Sequence, residues 1–569
     1  MKYIYKAKGK KRHVIKDLRD LVQSSAELYG EQTLYVYKET QETLRYSYAR
    51  LWDEMNSIGT ALAKFDLLGC GVVVTGNTNP HYVTAYLTAV NGGGYIVPLD
   101  NELSAEQTFN FIERSEAQVI FYTDSQNSKI AQIAPQLKNI KLFVPINPGE
   151  DYKFAENVIP IEELIAMGKA ELEAGNTTYT KHEIDMNKMS AILFTSGTTG
   201  TSKGVMLSQN NLTAAINATV QTMPFEDDIR SISILPVHHA YEMTCEHLSA
   251  MVIGGEMYIN DNIKHIKRTL SEFKPTILVV VPLFVETMYK RIWVEARKKG
   301  MDKKLKFGLA LSNFLLRFKI DIRKKLFSDV TAAFGGDVKL VVCGGAPIDP
   351  ELVKNFYALG IVILEGYGIT ECAPLVAVNL PSKIKLGSVG QPVMGCTVKI
   401  DTESPDADGD TGEILVKGEN VMLGYFKDPE ATSEVFTEDG WFRTGDFGYV
   451  DKQGYVFITG RKKNIIITSN GKNVYPEELE EYIDKIELVE ESVVIERKKE
   501  GAPIIVAIIV PNEELTEGMT DDEIYKKIKA EVDRINNGLP PHKFIYDIEI
   551  RHEKFERNTT LKIIRYKVQ

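Results

Sequence analysis

From about residue 15 to 380, stretches with helical periodicity alternate with short runs that are apolar at nearly every position. These are GVVVTG at 71–76, YIVPLD at 95–100, QVIFYT at 118–123, AILFTS at 191–196, TILVVV at 276–281 and KLVVCGG at 339–345. A run without polar alternation suits a strand covered on both faces, and its alternation with helices predicts parallel sheets of the α/β class. Between about 385 and 460 the strands shorten and Asp-Gly and Gly-rich turns separate them, in PDADGDTGEILVKG, TEDGWFRTGD and DKQGYVFITG. That texture predicts an antiparallel meander or small barrel. Beyond GRKKNIII, a helix over PEELEEYIDKI, an apolar strand APIIVAIIV and a helix near 520–537 predict a separate small α+β domain. The expected organisation is a large N-terminal domain, residues 1–461, of layered α/β subdomains with a barrel-like part at about 385–460. A small C-terminal α+β domain, residues 462–569, follows it.

Composition narrows the class. With 569 residues and 44% hydrophobic content the chain can bury a large, multidomain core. Its 67 basic and 78 acidic side chains leave a net charge of −11, which argues against nucleic-acid binding through a general basic surface, so a polyanionic ligand must be held by local groups. Cys70, Cys245, Cys343, Cys372 and Cys396 are odd in number and lack metal-ligand spacing, which predicts neither a disulfide framework nor a zinc site and suits a reducing cytoplasm. The start, MKYIYKAKGKKRHVI, has the charge of a signal peptide without its apolar run, so no export is expected. The apolar stretch ILVVVPLFV at 277–285 is about half of the roughly 20 residues a spanning helix requires, and a proline interrupts it.

The sharpest chemical signal is TSGTTGTSKG at 195–204, set after the strand AILF and before LSQNNLTAAINATV, which reads as a helix. Its glycines allow backbone N–H groups to converge on phosphate oxygens. Thr195, Ser196, Thr198 and Thr199 add donors around Gly197 and Gly200, and Lys203 adds a positive charge. The loop suits a nucleoside triphosphate. A Walker A loop requires Gly-Lys-Ser/Thr, and Ser-Lys-Gly at 202–204 does not supply it. The plainer alternative is a Ser/Thr/Gly surface loop.

This loop resembles the signature loop of the adenylate-forming superfamily, and six further segments resemble that family's other motifs in the same order. They are LPVHHAYE at 235–242, GGAP at 344–347, EGYGITE at 365–371, GEILVKGENVMLGYF at 412–426 with WFRTGD at 441–446, GRKKNIIITSNGKNVYPEELE at 460–480, and KFERNTTLKIIRYK at 554–567. The resemblance implies ATP- and Mg²⁺-dependent activation of a carboxylic acid as an acyl-adenylate, then transfer to coenzyme A. It implies adenine lining by Gly344, Gly345, Ala346, Glu365, Gly366 and Tyr367, an α-phosphate donor in Thr370, and a magnesium ligand in Glu371. Ribose contacts fall on Asp446 and Arg461, and the acid-side histidine on His239, with His238 as the alternative. A hinge is implied at Lys463 with a mobile small domain, a coenzyme A channel at Gly471, and an adenylation lysine at Lys562. Where relatives carry a proline and a glycine before that lysine, this chain has Glu556 and Leu561.

The paired histidines and the stretch from FGGDVKLVVCGG to EGYGITECAP look most like bacterial long-chain fatty acid:CoA ligases, with a carrier-protein ligase or another acid substrate as the alternative. Residues 290–325 hold thirteen Lys/Arg against three Asp/Glu. Leu311, Leu315, Phe318 and Ile322 there fall at i, i+4, i+7 and i+11, which predicts an apolar helical face beside cations. Such a face would suit peripheral contact with an anionic membrane or, alternatively, packing in the core. Oligomeric state is left open.

Overall fold

The structure is a computed structural model and describes residues 13–568 apart from 40–41, 196–201, 261, 405, 469–471, 500–501 and 558–561. The chain divides into two compact units. The first runs to Leu386 and adds Gly390–Thr397 and Lys417–Phe436; the second holds Gly387–Val389, Val398–Val416 and Thr437 onward.

Among the described residues the first unit contains three sheets. The largest has seven strands in the order Gly424–Tyr425, Lys203–Ser208, Met189–Thr195, Tyr95–Leu99, Gly71–Thr75, Val119–Thr123 and Leu142–Ile146. The last five are mutually parallel, as the apolar runs predict. Gly71–Thr75 and Val119–Thr123 are buried at every position, so both faces are covered. Pro80–Asn91 is a helix buried all round, opened by Asn79, whose side chain accepts from the Tyr82 N–H. The second sheet sets Ile277–Val280, Leu340–Gly344 and Val362–Gly368 in parallel, then adds Leu375–Val378 and Gln391–Pro392 antiparallel. The third joins Glu42–Ser47, Thr33–Glu39, Glu256–Ile259 and Arg230–Ser233.

The second unit carries most of the expected antiparallel sheet of Gly412–Gly418, Phe442–Val450 and Val456–Arg461, with Cys396–Asp401 at the edge. It also holds a three-stranded sheet of Val489–Lys499, Ala502–Pro511 and Ile545–Ile550, with helices Pro476–Ile483 and Asp521–Asn536. Ile483, Val494, Ala507, Ile509, Ile528 and Val532 form its core.

One sequence expectation is refined and one is corrected. The segment LSQNNLTAAINATV is helical as read except for its first two residues, which end a strand, Lys203–Ser208, antiparallel to Met189–Thr195, with Thr195 opposite Lys203. The helix begins only at Gln209, because Ser208 and Asn211 form a reciprocal capping box that fixes the helix start there. Nor does the apolar face at Leu311, Leu315, Phe318 and Ile322 exist as one helical stripe. The helix Asp302–Arg317 ends before Phe318, and Lys319 turns left-handed at φ +62°, so Ile322 lies beyond it. The buried side is instead Leu305, Gly308, Leu309 and Ser312. Among the described residues no helix is long and apolar enough to cross a membrane.

Candidate active site

In the first unit the hairpin Met189–Thr195/Lys203–Ser208 brings Thr195 and Lys203 together at its connected end, where Thr195 Oγ1 donates to the Lys203 carbonyl at 3.4 Å. Ser196, Gly197, Thr198, Thr199 and Gly200 lie outside the described residues. The short strand Gly424–Tyr425 pairs with Lys203–Ser208, and Phe426 N–H donates to the Gly204 carbonyl at 2.7 Å. This pairing places the Tyr425 ring 4.7 Å from Lys203 Nζ, and its hydroxyl donates to Glu371 Oε1 at 3.0 Å. Burial, then the neighbouring Glu371 carboxylate, drives the Tyr425 phenol well above its ordinary pKa, so it remains a donor throughout the physiological range. Lys203, Tyr425 and Glu371 thus form a contiguous cation–phenol–carboxylate row. Thr370 shares the short turn Thr370–Cys372 with Glu371.

GGAP and EGYGITE meet through the parallel register of the second sheet: Cys343 faces Glu365, and Gly344 faces Gly366. Tyr367 continues the same strand, while Gly345, at φ +90°, and Ala346 begin the loop leaving Gly344. Tyr241 lies over this floor, its hydroxyl donating to the Val342 carbonyl at 3.2 Å. A Cβ on Gly344 would stand 3.3 Å from both the Gly366 carbonyl oxygen and the Tyr241 ring, which leaves little room for a side chain.

The two histidines of LPVHHAYE have ring centroids 4.2 Å apart. His238 Nε2 lies 3.7 Å from Asp100 Oδ2, and burial lowers the His238 pKa to about 4, so its imidazole is neutral near pH 7. His239 starts the turn into the next helix, its carbonyl accepting from Met243 N–H at 3.0 Å. Glu242, at the end of the motif, is fully buried and accepts from Ser233 Oγ at 2.6 Å, which removes it from the candidates for a solvent-facing acid.

In the second unit, cross-strand register sets Asp446 opposite Arg461. Asp446 is 2% exposed, and Arg461 Nε donates to its Oδ1 at 2.8 Å. Lys463 lies in the tight turn Lys462–Asn464 at the end of that strand. Burial first, then repulsion by Arg461, lowers the Lys463 pKa. Lys562 joins the same cluster. It keeps contact with solvent, yet the protein around its ammonium, ahead of repulsion by Arg461 and Lys463 and against attraction by Asp446, pushes its pKa down to about 8. Gly471 lies outside the described residues.

Mg²⁺ is bound in enzymes by one or two carboxylates together with substrate phosphates. Glu371 fits that use: Tyr425 occupies Oε1, and among the described residues no partner takes Oε2. No cluster of three or more metal-ligating side chains occurs among the described residues, so Glu371 would depend on phosphate oxygens and water to complete a shell.

Sequence reasoning missed Tyr425 and Asp100. Tyr425 falls within a recognised motif, GENVMLGYF, but nothing in its spacing marks a partner in Glu371. Asp100 ends a buried strand, and a polar residue at a strand's carboxyl end was the one available signal.

The family model for AMP-binding enzymes matches residues 22–426, and that for the AMP-binding enzyme C-terminal domain matches residues 463–569. The chain is 30% identical over 541 residues to the long-chain-fatty-acid–CoA ligase FadD15 of Mycobacterium bovis, covering 87% of this chain and 86% of that protein. It is 27% identical to the chloroplastic long-chain-fatty-acid–[acyl-carrier-protein] ligase AEE15 of Arabidopsis thaliana, over 90% and 79% of the two chains. In fold it is similar to ATP-bound MatB from Rhodopseudomonas palustris, with a TM-score of 0.75, 24% identity, and coverage of 97% and 98%. With both family models matched in order along nearly its whole length, the chain is an adenylate-forming acid ligase and belongs to the AMP-binding enzyme family.

Proposed function

We propose that this enzyme activates a long-chain fatty acid with ATP, releasing pyrophosphate, and transfers the acyl group from the adenylate to coenzyme A. The observation that carries the reading is the cluster of Arg461, Lys463 and Lys562 about the buried carboxylate of Asp446. A carboxylate acceptor beside several cations suits a ribose joined to a phosphate. The substrate class rests on the relatives named as long-chain fatty acid ligases.

A carboxylate is a poor acyl donor because its oxide is a strongly basic leaving group; AMP is a better one. The first step brings one anion onto the α-phosphate of another, so cations and oriented dipoles lower the barrier. The attacking acid is already ionised near pH 7 and requires no general base. In this reading Lys562 bridges the carboxylate and the α-phosphate, Thr370 donates to that phosphate, and Lys203 with the loop from Thr195 to Gly200 holds the outer phosphates. Asp446 and Arg461 take the ribose, and the backbone from Gly344 to Ala346 and from Glu365 to Tyr367 lines the adenine. His239, with His238, lies on the acid side. Mg²⁺, held by Glu371 and the nucleotide's phosphates, would supply charge neutralisation. Lys463 is the hinge about which the C-terminal domain, residues 462–569, turns for the thiol step, with coenzyme A passing Gly471 in a cytoplasmic enzyme.

Pyrophosphate release measured over acids of increasing chain length, with and without coenzyme A, tests the reading. The expected result is a maximum at long chains and accumulation of the CoA thioester. The similarity to a carrier-protein ligase favours a second reading. Fatty-acid-dependent exchange of pyrophosphate into ATP with no CoA thioester would establish that one instead. Tyr425→Phe is expected to lower the adenylation rate about tenfold, the worth of a hydrogen bond to a charged group, with little change in thermal stability. An unchanged rate would show that Glu371 does not depend on Tyr425 for its position.

A further inference from the structure

We infer that the outer face of the helix Asp302–Arg317 and the turn after it form a docking surface for an anionic lipid bilayer. The helix is anchored on its inner side, where Ser312 Oγ donates to the Ala358 carbonyl at 2.8 Å and Gly308 packs against the Phe327 ring. On the opposite side stand Phe307 and Phe314, at i and i+7, with Phe318 capping the helix just beyond them; they are 69%, 55% and 63% exposed. Phe314 and Phe318 meet edge to face, with centroids 5.2 Å apart. Met301 and Ile320, also exposed, flank the two ends of the helix.

Cations frame the row. Lys303, Lys304, Lys306, Arg317 and Lys319 are exposed, as are Lys298 and Lys299 before the helix and Lys324 and Lys325 after it. Among the described residues, none of Lys303, Lys304, Lys306, Arg317 and Lys319 forms an ion pair; of the three acids in 290–325, Glu295, Asp302 and Asp321, the last is taken by Arg323. Residues 290–325 carry a net excess of ten positive charges inside a chain of net charge −11. Aromatic side chains at the level of lipid headgroups, flanked by lysines that reach phosphates, are the chemistry of an interfacial helix. The charge also selects the occupant. A second copy would present the same cations to this face and be repelled, whereas an anionic surface neutralises them. Because the helix is already folded and packed, no ordering of the segment opposes binding.

The test uses the full chain without substrate, so its outcome does not depend on which acid the enzyme activates. Sedimentation is measured with vesicles of phosphatidylcholine alone and with about one-third phosphatidylglycerol, at low salt and at about 0.5 M NaCl. Binding to the anionic vesicles, absent from neutral ones and reversed by salt, is expected. The combined change Lys303→Gln, Lys304→Gln and Lys306→Gln should weaken it roughly a hundredfold. Phe307→Ser, Phe314→Ser and Phe318→Ser together should weaken it at least about tenfold, with melting temperature and activity on a soluble acid unchanged. Lys526→Gln with Lys527→Gln, on a helix of the second unit, serves as the control and should bind as the parent does. The inference is overturned by absent vesicle binding, by binding that neither set alters, or by a dimer in solution that the phenylalanine changes convert to monomer. Should the phenylalanine variant fail to fold, the lysine variant, altered at exposed charges alone, decides by itself.

Discussion

Lys562→Ala is expected to slow adenylate formation by about 10²–10³, the loss typical of one charged donor to a developing phosphoryl charge. The same variant should still convert a supplied acyl-adenylate and coenzyme A to the thioester. The two half-reactions are measured separately, as pyrophosphate release and as AMP release from the adenylate; equal loss in both would refute the division of labour. The pH dependence follows from the shifted ammonium. The active form is the protonated one, and its pKa is lowered to about 8, so kcat/KM for ATP should fall as pH rises through about 8. Bound phosphate and carboxylate favour the charged form, so the fall in kcat should lie at higher pH. Lys562→Arg keeps its charge across the range and should remove the alkaline limb while leaving the rate below that of the parent enzyme. Lys463→Pro, at the proposed hinge, should instead preserve one half-reaction and impair the other.

Asp446→Ala should raise the KM for ATP by about 10²-fold, since a buried carboxylate loses charge-assisted bonds to ribose hydroxyls worth about 1.5–3 kcal/mol each. The change also leaves Arg461, Lys463 and Lys562 without their shared counter-ion. Because Asp446 raises the Lys562 pKa, its removal should move the alkaline limb of the pH profile to lower pH. A double cycle with 2′,3′-dideoxy-ATP isolates the ribose contact: the analogue should bind weakly to the parent enzyme and be hardly distinguished from ATP by the variant. If the variant still prefers ATP by the parent's full factor, Asp446 does not hold the ribose.

The strands of the α/β body are legible because burial on both faces writes itself as uninterrupted apolar residues, and Gly71–Thr75, Tyr95–Leu99 and Val119–Thr123 fall inside the predicted runs. The antiparallel part is legible because tight turns demand Asp-Gly and Gly. The hairpin after Thr195 was not, since Val205, Met206 and Leu207 suit strand and helix equally and the deciding capping box at Ser208 and Asn211 lacks the usual Glu or Gln. Candidate residues were legible one by one, each on its own motif. Their company was not: Tyr425 meets Glu371 because a two-residue strand pairs with Lys203–Ser208, and no periodicity encodes that pairing.

From residues alone come the α/β class with six of its buried strands, the order of the chemical motifs, and the excess of positive charge at 290–325. Tertiary structure decides the rest. It gathers Asp446, Arg461, Lys463 and Lys562 so that the pKa of one lysine is pushed down to about 8, and it packs Leu305, Gly308, Leu309 and Ser312 inward so that three phenylalanines face outward. The physical reason is common to both. Local pattern depends on neighbours along the chain, whereas pKa and exposure depend on groups that converge through space only after folding.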